Sequence, residues 1–117
     1  MGQLTTHVLD ISAGLPAAGV RVELHEHQTE GLRLLTATAT GPDGRLTVPL
    51  LAGAEFRTGR YLLKFHTAEY FRARGVVLPE PAFIEHASIE IGIAAAEQHY
   101  HVPLLIAPWS YSVYRGG

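Results

Sequence analysis

Residues 20–27 read Val20-Arg21-Val22-Glu23-Leu24-His25-Glu26-His27. Val20, Val22 and Leu24 alternate with Arg21, Glu23 and His25. Successive side chains on a strand point to opposite faces, so this spacing makes one apolar side and one charged side. The segment is therefore a half-buried strand. The same period runs through much of the chain. Residues 4–11 alternate before it and are followed by a turn-rich break at 12–19. Residues 32–40, rich in β-branched threonine, make the next strand. Gly41-Pro42-Asp43-Gly44 is a strong turn signal, since Asp-Gly tolerates positive φ and Pro presets the turn entry. A short strand is expected at 45–48 and a longer one at 60–66, with Tyr61, Leu63 and Phe65 on one face. Strands at 83–93, 99–106 and 111–115 complete the set. One helix is expected at 68–74, with Thr67 as its cap, Glu69 at its positive end, Arg72 and Arg74 at its negative end, and Gly75 ending it. Seven or eight strands and one short helix make an all-β sandwich. The 117 residues fit a single domain, and no repeat or linker divides them.

Composition narrows the function. Hydrophobic residues are 47% and charged residues 17%, which is enough apolar surface to offset the entropy of ordering. No apolar run approaches the roughly 20 residues that span a bilayer, and residues 1–10 lack a secretory pattern, so no membrane partner and a cytoplasmic location are expected. The net charge of −2 supplies no basic field for nucleic acid. Cysteine is absent, which excludes disulfides and thiol chemistry. Seven histidines stand against a single lysine, Lys64. Histidine titrates near neutral pH, so the excess points toward acid–base or metal chemistry.

Strand parity sorts these histidines. Tyr100, Val102, Leu104 and Ile106 make a uniformly apolar face. His99 and His101 are then turned away from the core, together with Pro103 and Leu105. A lone histidine so placed is ordinarily solvent-facing. A face that mixes His with Pro and Leu calls for cover by a partner subunit or a lined cavity. His7 shares parity with Leu9, opposite Thr6, Val8 and Asp10. Arg45 follows the Asp43-Gly44 turn, where an arginine is most simply solvated. Tyr114 shares parity with Ser112 in a tail that reads as an ordered strand. His99/His101 and His25/His27 could each offer two ligands on one strand face to zinc, but a third and fourth are not in view, so no metal is expected. Gly-rich phosphate loops and nucleophile elbows are missing.

Four stretches carry a resemblance: Thr6-His7-Val8-Leu9-Asp10, the Asp43-Gly44-Arg45 turn, His99-Tyr100-His101-Val102-Pro103-Leu104-Leu105, and the ending Tyr114-Arg115-Gly116-Gly117. Together they resemble the 5-hydroxyisourate hydrolase family, the transthyretin-related proteins of urate breakdown. The resemblance implies a transthyretin-like β-sandwich of two four-stranded sheets with one short helix. It implies a homotetramer, a dimer of dimers, with sites facing a central channel. It implies hydrolysis of the N1–C6 bond of 5-hydroxyisourate, giving 2-oxo-4-hydroxy-4-carboxy-5-ureidoimidazoline, without metal or cofactor. The matching site residues are His7, Arg45 and His101, with Tyr114, Arg115, Gly116 and Gly117 of the tail. Gly117 stands where the family usually has serine. Amide-type hydrolysis needs an activated water, an oxyanion stabiliser and a proton for the leaving nitrogen. Two histidines can divide the proton transfers, Arg45 can bind the substrate and its charge, and Tyr114 with the tail can wall the pocket. The alternative from another class is a non-catalytic small-ligand carrier like transthyretin. It predicts a less polar channel than these residues make.

Overall fold

The alternating segments pair into two sheets that enclose one core. In the computed structural model, which describes residues 2–117, the strands are β1 (Gln3–Asp10), β2 (Leu15–Pro16), β3 (Arg21–Gln28), β4 (Gly31–Ala39), β5 (Leu51–Ala52), β6 (Gly59–Phe65), β7 (Ala87–Ile93), β8 (Tyr100–Ala107) and β9 (Ser110–Val113). One sheet runs β2-β1-β8-β9, with the two-residue β5 added at the start of β1; the other runs β4-β3-β6-β7. β1 and β8 pair in parallel, and the remaining pairs are antiparallel. Leu4, Val8, Leu104 and Ile106 of the first sheet meet Val22, Leu24, Leu63 and Phe65 of the second, all fully buried. Each such side chain contributes about 1.5–3 kcal/mol relative to exposure.

The inner face of β1 also carries Thr6 and Asp10, both buried. The Thr6 hydroxyl donates to the Val102 carbonyl at 2.7 Å. The Asp10 carboxylate accepts from the Ser12 hydroxyl and N–H and from the Tyr70 hydroxyl at 2.9 Å. Burial pushes the Asp10 carboxyl up, but the Ser12, Tyr70 and backbone hydrogen bonds outweigh it and hold it below its ordinary value. Tyr70 lies on the helix α1 (Thr67–Ala73), so this bond ties the helix to the end of β1.

Three local expectations are corrected. Residues 45–48 form no strand, only a single bridge between Arg45 and His7. The strand expected from residue 83 begins at Ala87, because the Ala82 N–H is taken by the Glu85 carboxylate and the Ala68 N–H by the Glu85 carbonyl. Thr67 does not cap α1; His66 precedes the helix without a side-chain cap bond, and the Thr67 hydroxyl is buried without a partner. Gly75, with φ of 87°, does end the helix.

Candidate active site

The parallel pairing of β1 with β8 sets Thr5 beside His101, His7 beside Pro103 and Leu9 beside Leu105. All lie on the outer face, opposite the buried Tyr100, Val102, Leu104 and Ile106. Arg45 reaches this face because the 41–44 turn folds against β1. The Gly44 carbonyl accepts from the Val8 N–H at 2.9 Å. Gly44 has φ of 78°, and a Cβ there would sit 2.3 Å from the Val8 carbonyl oxygen. Only glycine permits both the conformation and the approach. The Asp43 carboxylate then accepts the Arg45 N–H at 3.0 Å and fixes the exit of the turn.

A cleft of about 330 Å³ results, lined among others by Thr5, Arg45, Thr47, His99, His101 and Gly117. It brings together Arg45, His101 and the last tail residue. His7 borders it. The His7 Nε2 lies 2.9 Å from the Asp43 carbonyl oxygen, and a carbonyl only accepts, so Nε2 carries the hydrogen and the neutral ring keeps its lone pair on Nδ1. Among the described residues no carboxylate pairs with the Arg45 guanidinium. Its charge is left for a ligand. Burial lowers the His101 imidazole below its ordinary value of 6.5, and Arg45, His99 and His7 push it the same way. His101 is therefore neutral at pH 7 and can accept a proton. The acid limb of any reaction that needs this neutral ring falls below pH 6.5. Arg45→Gln removes one of the charges that oppose protonation, so the limb moves upward; pH–rate profiles of the two proteins measure the displacement.

The tail is divided. Gly116 bridges to His101, donating its N–H to the His101 carbonyl at 2.7 Å. A Cβ on Gly116 would meet the His101 ring at 2.9 Å and Pro103 at 3.2 Å, so glycine here is a matter of close packing. Tyr114 and Arg115 do not line the cleft. They border a second one of about 310 Å³, beside Ile89, Ile91 and Val102. The Arg115 guanidinium donates to the Gln98 amide oxygen and the His99 carbonyl, both at 3.1 Å, and lies 3.9 Å over the Tyr100 ring. Thr5, absent from the sequence reading, is the addition. Its parity with His7, two residues later on β1, was the available signal.

Among the described residues no cluster of three or more His, Asp or Glu is placed to hold a metal. The HIUase/Transthyretin family model matches residues 4–116. The chain belongs to that family. Within the HIUase/Transthyretin family, it is 53% identical over 116 residues to the 5-hydroxyisourate hydrolase of Pseudomonas aeruginosa, covering 99% of this chain and 92% of that one. The structure of Klebsiella pneumoniae 5-hydroxyisourate hydrolase matches with a TM-score of 0.83 and 36% identity over the whole of both chains. The crystal structure of (S)-allantoin synthase matches with a TM-score of 0.92 and 40% identity over 99% of this chain, which spans 44% of that one.

Proposed function

We propose that this HIUase/Transthyretin family member is a 5-hydroxyisourate hydrolase that opens the N1–C6 bond of its substrate in the Arg45–His101 cleft. The observation that carries this reading is one cleft holding an unpaired arginine beside a histidine kept neutral by burial and neighbouring charge. A volume of about 330 Å³ lies at the small end of the roughly 300–1,000 Å³ of small-molecule sites and suits a single flat ring system. Arg45 binds the oxygen-rich ring through its planar donor fork and stabilises the charge that develops on the attacked carbonyl. His7 and His101 divide the proton transfers, one taking the proton of the attacking water and the other serving the leaving nitrogen. The tail backbone at Gly116 and Gly117 closes the wall beside His101. Tyr114 acts with it through the strand it extends.

The carrier reading needs an apolar cavity, and an unpaired guanidinium flanked by two imidazoles disfavours it. The discriminating experiment follows ultraviolet absorbance after urate oxidase generates fresh 5-hydroxyisourate. Added protein is expected to speed the decay of that intermediate, with no effect of EDTA. Decay at the spontaneous rate would overturn the hydrolase reading.

The working form in this reading is a cytoplasmic homotetramer, a dimer of dimers whose clefts share a channel. Ile11 (53% exposed), Leu15 (48%) and Trp109 (60%) are large apolar groups left uncovered on the single chain. Light scattering is expected to give about four times 12.7 kDa. An active monomer would sink the shared channel.

A further inference from the structure

Thr5 places one hydroxyl between two imidazoles. Its Oγ1 lies 2.8 Å from His101 Nδ1 and 3.2 Å from His99 Nε2. The two rings are nearly parallel, 20° apart, with centroids 6.4 Å from each other. The arrangement has two causes. His99 and His101 are two residues apart and share the outer face, and the parallel register puts Thr5 beside His101. A β-branched side chain is stiff at χ1, so Oγ1 is held in position while its hydrogen rotates freely.

A hydroxyl has a single hydrogen to donate, so it cannot donate to both rings. With both rings neutral, both N–H groups can donate to the oxygen while its hydrogen points elsewhere, or the hydrogen can lie between the rings, and two arrangements then satisfy both contacts. In one, Thr5 donates to His101 Nδ1 and accepts from His99 Nε2–H, and both rings carry hydrogen on Nε2. In the other, His101 Nδ1–H donates to Thr5 and Thr5 donates to His99 Nε2, and both rings carry hydrogen on Nδ1. Whenever the Thr5 hydrogen lies between the rings, the tautomers of the two histidines are locked together. The first arrangement leaves His101 Nε2 as a proton donor, the second as a bare lone pair.

We propose that Thr5 is a positioning residue that couples His101 to His99 and carries protons between the cleft and solvent. The proton balance is explicit. Starting from the second arrangement, His101 gains a proton at Nε2 and passes its Nδ1 proton to the Thr5 oxygen. Thr5 passes its own hydrogen to His99 Nε2. The exposed His99, now doubly protonated, releases its Nδ1 proton to water. The result is the first arrangement, with one proton moved out and Thr5 again a neutral alcohol. Return follows the same path in reverse, or by proton exchange with water. Hydrolysis that releases a non-basic ureido nitrogen at neutral pH leaves an ionised carboxylate and one free proton per turnover, so an exit of this kind serves the chemistry.

The kinetic part of this proposal rests on the hydrolase reading, and the structural part does not. The test compares Thr5→Val, which keeps the shape and removes the hydroxyl, with Thr5→Ser, which keeps the hydroxyl. Imidazole ¹⁵N spectra of the full chain report the tautomer of each ring. Wild type and Thr5→Ser are expected to show matched tautomers at His99 and His101, and Thr5→Val to shift the nitrogens of both rings. In steady-state assays Thr5→Val is expected to lose at least about tenfold in kcat with KM within about threefold, and Thr5→Ser to stay within about threefold of wild type. His99→Ala is expected to lose less than Thr5→Val, since water can receive the proton from Thr5. Should Thr5→Val fail to fold, His99→Ala carries the test alone through the ¹⁵N shifts of His101, which must change. Unchanged ring nitrogens in these variants, or a wild-type kcat in Thr5→Val, would overturn the coupling. A wild-type protein inactive on 5-hydroxyisourate would overturn the hydrolase reading, while the spectra would still judge the tautomer lock.

Discussion

His7→Ala, Arg45→Ala and His101→Ala are each expected to lower kcat/KM for 5-hydroxyisourate by at least about a hundredfold, equivalent to about 2.7 kcal/mol of transition-state stabilisation. Loss of a proton-transfer group costs roughly 10²–10⁴-fold in rate, which sets the scale for the histidines. Arg45 reaches the same scale by a different route. It is the unpaired cation at the cleft, and it also helps to keep His101 neutral. Its loss weakens substrate binding and raises the fraction of His101 that is protonated below neutral pH. The His7 ring bonds the Asp43 carbonyl, and its removal leaves the 41–44 turn anchored by Val8 and the Asp43 carboxylate. The fold is expected to survive all three changes, because none of the three side chains belongs to the core. Thermal melting checks that point beside the kinetics. His99→Ala should lose less than about tenfold. Equal damage from His99→Ala and His101→Ala, with both proteins folded, would overturn the ranking of the two rings.

Deletion of residues 114–117 is expected to abolish activity. The tail holds His101 from the main chain through the Gly116 N–H, and Arg115 clasps the preceding segment at Gln98 and His99. Without it, residues 99–103 keep β1 on one edge but lose the tail's backbone bonds to His101 and Pro103 on the other. A light-scattering measurement on the truncated protein separates two causes. A tetramer that is inactive has lost the cleft wall; a smaller species has lost an assembly contact. Gly117→Ser, by contrast, should change kcat/KM by less than about tenfold. Nothing lies within 4 Å of a Cβ built on Gly117, so the serine enters open space. A gain well above tenfold would show that a terminal hydroxyl completes the site and that this chain works without one.

Parity along single strands was legible in the residues themselves. The apolar face of 100–106, the outward turn of His99 and His101 and the core set of 20–24 follow from a period-two pattern, and burial selects one face locally. The Asp43-Gly44 turn was legible for the same reason, since a positive φ at glycine is a property of a few adjacent residues. Local pattern overreached at 45–48 and 83–86, where alternation suggested strand. The Arg45 N–H goes instead to the Asp43 carboxylate, and the Ala82 N–H, just before the second stretch, to the Glu85 carboxylate, and such local bonds compete with ladder bonds. Tertiary structure alone decided what meets His101. Thr5 lies 96 residues away in sequence, and it reaches the ring only because β1 and β8 pair in parallel at one register. A shift of one residue would turn Thr5 and His7 into the core. The same holds for Arg45, whose place at the cleft depends on a glycine pressed against Val8, and for Gly116, whose missing side chain lets the tail close over the imidazole. Side-chain type and period specify which face a residue occupies. Pairing register, a long-range property of two sheets closing on one core, specifies its neighbours.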